Sequence, residues 1–232
     1  MDLGPNATGA KDPLDHLAGP GTDLLRRVDD LLAVAGAPDD HRIWPLLRAL
    51  GALPADALGT IVALRPAPLA AAGHAVRTLS EEYDHARANL TTGDPWQGAG
   101  AQAYAAHRDA LAAYLDGDPE SLTGRLAATA AYAEAVDDWV ARSRQALART
   151  LADVLGSAEA VTVVTAGTTG DPGAVALAAA EIGARVLATV AEAETRGRDL
   201  LHRWAQELTE LPYRGPRDAA PSRLDGTTWI SG

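Results

Sequence analysis

The side chains that could do chemistry are few, and their spacing gives them little of it to do. His41, His74, His85, His107 and His202 could bind metal or move protons, but none stands in an H-E-x-x-H arrangement, which sets two imidazoles on one helix face beside a carboxylate. They are read as structural or solvated. Glu81-Glu82-Asp84 and Asp137-Asp138 place carboxylates in succession, yet neighbours on a helix point in different directions, so these acids are expected to face solvent and not to share a proton. The stretch GTTGDPG over 167–173 has the glycines of a phosphate loop but no Lys-Ser or Lys-Thr and no parallel-strand pattern before it, and it reads as a helix-helix connection. The serines lack a G-x-S-x-G setting, and the absence of cysteine removes thiol nucleophiles, thiolate metal sites and disulfides. Asn6-Ala7-Thr8 and Asn89-Leu90-Thr91 match the glycosylation sequon, a pattern short enough to arise by chance. No catalytic, cofactor-binding or metal-binding residue is assigned, and no small-molecule substrate is evident. The chain is expected to act, not as an enzyme, but through the surfaces its helices build.

Those helices are legible from punctuation and period. The chain has 232 residues, 47% of them hydrophobic, enough for a sizeable core; Ala, Leu and Val supply most of it, with no Phe and 4% aromatic residues, which favours slim, closely packed helices. A net charge of -11 argues against nucleic acid as a partner, because phosphate binding needs clustered cations. The N-terminus lacks the basic start and apolar core of a signal peptide. A Gly- and Pro-bearing leader to Gly21 precedes Thr22, read as an N-cap, after which Leu24, Leu25, Val28, Leu31, Leu32 and Val34 recur at helical spacing. Two short helices follow, Trp44 to Gly51 and Ala55 to Leu64, before a break at Arg65-Pro66.

Beyond it Leu69, Ala72, Val76, Leu79, Tyr83, Ala86 and Leu90 alternate steps of three and four, which predicts a coiled-coil seam. After a TTGDP turn, Gly100, Tyr104, His107, Leu111 and Tyr114 continue the alternation, predicting an antiparallel helical pair. Leu122 to Val154 predicts one helix of about 35 residues, about 50 Å long. Val161 to Val164 is β-branched but has no second strand to pair with, so it is read as a buried helical turn. Val175, Ala179, Ile182, Val186, Val190, Ala193, Leu200, Trp204 and Leu208 define a last long helix ending near Pro212. Its most apolar part, 174–191, carries Glu181 and Arg185, charges that would cost several kcal/mol inside a membrane, so it is read as a core helix.

Trp96-Gln97-Gly98 falls in the turn between the first two seams and runs on as WQGAGAQAYAAHRDALAAYL. This stretch resembles the W-x-G family of small helical hairpins exported by type VII secretion systems: Trp96, Gly98, Ala103 and Tyr104 match the family pattern, and Gly100 stands where a small residue is usual. The indole can close the hairpin end while the glycine permits a tight turn. The family's export pattern Y-x-x-x-[DE] is matched in letters by Tyr114 to Asp118, closer to Trp96 than the family places it. The resemblance covers about Leu69 to Leu155, and the surplus helices are similar to those of larger fused, PPE-like members. The seam on Val175 to Leu208 suggests that these helices supply in cis what small members obtain by dimerising.

The expected architecture is an all-α, elongated up-and-down helical bundle built around a W-x-G helical hairpin: flexible leader and short-helix cap over 1–65, hairpin region over 66–156, connector and long C-terminal helix over 157–212, flexible tail over 213–232. The resemblance implies a non-enzymatic protein, a secreted substrate or self-assembling secreted factor, exported by the type VII route without a classical signal peptide. It implies the type VII machinery as partner and a second helical protein or further copies of the chain as possible companions. Two other readings fit the helices: the targeting or adaptor segment of a polymorphic toxin system, and a cytosolic scaffold or chaperone.

Overall fold

The computed structural model describes residues 12–90, 97–115, 121–169 and 171–209, and there the chain is all α, with eight helices and no strand: α1 (Pro13–Ala35), α2 (Ile43–Leu50), α3 (Pro54–Ala63), α4 (Pro66–Leu90), α5 (Ala99–Leu115), α6 (Leu122–Leu155), α7 (Ala158–Thr169) and α8 (Pro172–Thr209). The helical-bundle expectation holds. The expectations for Trp96, Asp118 and residues 213–232 fall outside the described residues.

The first correction concerns α1, which starts nine residues before Thr22. Asp12 is its N-cap: the Leu14 N–H donates to Asp12 Oδ1 at 2.9 Å, and Pro13 sits where a missing N–H costs nothing. The helix continues through Gly19-Pro20-Gly21, a run that reads as a break, because tertiary packing outweighs local propensity. Leu14 lies before the proline and Leu24, Leu25 and Val28 after it, and all are buried in one core. Gly21 permits the approach of α6; a Cβ there would stand 3.0 Å from Leu151 Cδ2. Thr22 is no cap, since its hydroxyl donates back to the Ala18 carbonyl within the helix.

Among the described residues the chain divides into two compact units, 12–70 with 134–202 and 71–133 with 203–209. In the first, α1, α2, α3, α7 and parts of α6 and α8 enclose a core of Leu14, Leu25, Ile43, Leu58, Leu147, Leu151, Val154, Ile182, Val186 and Leu187. The seam read on α8 is buried there from Val175 to Leu200, so this helix finds its partners in cis. By length and composition α8 could cross a membrane, with a window of mean hydropathy 1.7, but 56% of that window is buried within the protein. Its two central charges are paired, Glu181 with Arg42 at 2.6 Å and Arg185 with Glu159 at 2.8 Å. Gly183 and Gly197 are buried on the same face; a Cβ on Gly197 would lie 2.8 Å from the Trp139 ring, whose indole N–H donates to the Ala193 carbonyl at 2.9 Å. The Val161 to Val164 segment is helical as expected, but only Val163 is buried.

In the second unit the face assignments of α4 and α5 change. On α4 the covered line runs through Leu69, Gly73, Val76, Ser80 and Tyr83, while Ala72, Leu79 and Ala86 of the expected seam are exposed. On α5 the covered line is Ala101, Ala105, Arg108, Ala112 and Leu115, one residue away from the expected Gly100, Tyr104, His107 and Leu111, which are exposed. Ser121 caps α6 by accepting the Gly124 N–H, and Thr123 donates its hydroxyl to the Leu115 carbonyl at the end of α5. Tyr132 and Trp204 meet edge to face with centroids 5.7 Å apart.

Candidate functional site

The motif region is built by a glycine, a helix start and an exposed stripe. Gly98 has φ of 110°, a region closed to residues with a Cβ, and its carbonyl accepts the Gln102 N–H at 3.1 Å, so the conformation that only glycine adopts easily also opens α5. A Cβ at Gly98 would meet nothing within 4 Å, so the requirement is one of backbone and not of space. From there Gly100, Tyr104, His107 and Leu111 follow one another at steps of four, three and four, which puts them on one face of α5. Tyr104 is 50% exposed and Leu111 37% exposed, while Ala103 is also exposed and Tyr114 is half-buried at the helix end. Four of the residues matched to the motif, Gly98, Gly100, Ala103 and Tyr104, therefore lie at the surface.

Several charged groups of the first unit are engaged with one another. Among the described residues Arg144 is the largest of the fully buried side chains, 2% exposed, and no active-site pattern in the sequence points to it. It projects from α6 and donates to the carboxylate of Asp12, to Asp15 Oδ1 at 2.7 Å, and to the carbonyls of Ile61, Val62 and Leu64 at 3.3, 3.0 and 2.9 Å. One guanidinium thus ties the capped start of α1 to the open carbonyls at the end of α3. Burial pushes the Asp12 carboxyl up, but the Arg144 hydrogen bond, the Leu14 N–H and the charges of Arg144 and Arg65 together hold it below the usual range. The available signal was an arginine at steps of four and three between Val140 and Leu147, within an apolar stripe where an unpaired charge is not tolerated.

His41, flagged in the sequence, is drawn into such a cluster. The Ile43 N–H donates to its Nδ1 at 3.2 Å, which leaves the proton on Nε2, 3.2 Å from Glu181 Oε1. Both ring nitrogens are occupied, so the imidazole caps α2 and offers no free base. The Arg42 hydrogen bond is the main reason the Glu181 carboxyl lies below its usual range; His41 adds to it against the opposing effect of burial. Asp137, expected in solvent, has a buried Oδ1, whereas Asp138 is exposed beside Arg142. Asp29 of α1 accepts the Ala55 N–H of α3 at 3.2 Å with one oxygen while the other is buried without a hydrogen bond. Burial, with Asp56 and Asp30 near it, pushes its carboxyl up to about 6, against the Ala55 N–H.

Among the described residues no three His, Asp or Glu side chains stand close enough together to hold a metal ion. No protein-family model, curated protein or solved structure matches the chain.

Proposed function

We propose that this chain is a non-enzymatic, type VII secretion-associated helical protein, a secreted substrate or self-assembling secreted factor, that works by laying the α5 face against another helix. The observation that carries the reading is the coincidence of the motif with surface: Gly98 takes a backbone conformation suited to glycine at the start of α5, and Tyr104 and Leu111 extend from it as an exposed apolar stripe. A stripe of large apolar side chains at helical spacing is the recognition element of helix-on-helix binding, with area supplied by the aromatic ring and register by the repeat. His107 within the stripe supplies a polar point for orientation. The type VII assignment itself rests on the motif letters, Trp96-Gln97-Gly98 followed by Ala103 and Tyr104.

Replacing both Tyr104 and Leu111 by Asp tests this reading. The side chains are exposed, so the circular dichroism spectrum and melting temperature should stay near wild type, while the protein disappears from the culture filtrate of a host with a type VII system. Undiminished export of the folded double variant would remove the α5 face from the proposal.

A further inference from the structure

A groove on the first unit, about 380 Å³ in volume, lies between α1 and α7. Leu24, Leu155 and, on α7, Val161 and Val164 line it, and the two valines are 64% and 55% exposed. An apolar ridge thus borders an apolar groove. Exposed valines one turn apart beside a cavity are not what a solvated helix face requires, because a polar residue would serve there at no cost to the core.

The charges at the rim narrow the occupant. Asp23 and Arg27 both line the groove, one helical turn apart on α1, and neither makes an ion pair or hydrogen bond with a described residue. A ligand with an anionic head would meet Arg27 but be repelled by Asp23, and a cationic one would meet the reverse. A surface presenting both signs in the opposite order satisfies both residues, and this chain, turned about a twofold axis, carries such a surface itself. A twofold interface brings one patch against its own copy, so it needs a patch that complements itself. Here a ridge lies beside a groove and an acid beside a base, which is self-complementarity in shape and in charge.

We propose that this groove is a self-association face: a second copy of the chain, related by a twofold axis, seats its Val161 and Val164 ridge in the groove and sets its Arg27 against Asp23 of the first, with the reciprocal pair formed across the axis. The inference stands apart from the secretion reading, since α1 and α7 lie outside the motif. The interface holds two ion pairs in all, to which each copy contributes one acid and one base, and each copy buries the exposed valines of the other.

Sedimentation velocity of the full chain over a concentration series tests it, in about 150 mM salt, where repulsion between two chains of charge -11 is screened beyond about 8 Å. Wild type should pass from monomer to dimer. Asp23→Arg alone sets Arg against Arg across the axis, and Arg27→Asp alone sets Asp against Asp; each should weaken the dimer at least about tenfold. An equimolar mixture of the two variants restores both pairs in a heterodimer, and its dissociation constant should return to within about threefold of wild type. That rescue cannot come from misfolded variants. Wild type sedimenting as a monomer throughout, a dimer indifferent to both substitutions, or a mixture no tighter than either variant alone would each overturn the proposal.

Discussion

The residue that holds most together is Arg144, and no functional motif announces it. Its guanidinium supports a helix N-cap and closes a helix C-terminus at once, so losing it takes a donor from three carbonyls and from the partly exposed Asp12 and Asp15, which keep only the Leu14 N–H and Arg65. Arg144→Ala is expected to cost about 3 kcal/mol of stability by urea unfolding, and Arg144→Lys should recover little of it because an ammonium cannot span donors fixed by a planar fork. Full recovery by lysine would show that charge alone matters there. Asp29 gives the pH dependence. Its folded-state pKa of about 6 lies above the ordinary 3.8, so its contribution is fully present below about 3.8 and is lost as pH rises through about 6. Asp29→Asn should match wild type near pH 4 and exceed it by about 1 kcal/mol at pH 8, a figure reduced for solvent screening of a half-buried group. A difference that does not grow with pH would refute the assignment. Asp12, Glu159 and Glu181 act with the opposite sign: their carboxyls are lowered, so their contribution is present at neutral pH and lost in acid. Of the site residues, Gly98 was legible because few residue types accept its conformation, whereas Asp12, Asp15 and Arg144 were not, because their meaning depends on contacts more than a hundred positions apart in sequence.

At the scale of elements, the period located helices well and their buried faces unevenly. On α8 the bulky residues Val175, Ile182, Val186 and Val190 fall on one side, and the stripe read from sequence is the stripe buried. On α5, alanines at 101, 103, 105, 106, 110, 112 and 113 make nearly every face apolar, so the larger side chains pulled the expected seam onto Tyr104 and Leu111 while the small alanines took the covered face. Close packing of slim helices prefers the small residue inside, as it does on α8 where glycine meets a ring. That preference yields a paired expectation. Gly197→Ala should destabilise by about 1 to 3 kcal/mol, since the added methyl would stand 2.8 Å from the Trp139 ring and the indole is held by its bond to Ala193. Gly59→Ala, in α3 with nothing within 4 Å of the new methyl, should stabilise by about 0.5 to 1 kcal/mol. Thermal melts of the two variants should therefore move in opposite directions, and a stabilised Gly197→Ala would contradict the packing described for α8.

For the whole molecule, composition and period were enough to reach an all-α chain, while the division into two units was hidden because α4, α6 and α8 each contribute to both. The letters around Trp96 carry the functional reading, and the exposed stripe on α5 gives it a physical means of action. The decisive measurement is the amount of intact protein in culture filtrate, compared with a cytosolic marker, from a host with a working type VII system and from the same host lacking its secretion ATPase. Wild type should be present in the first filtrate and absent from the second, and Trp96→Ala should be retained in cells as a folded protein. Retention of wild type in both hosts, or release that ignores the ATPase, would contradict the account.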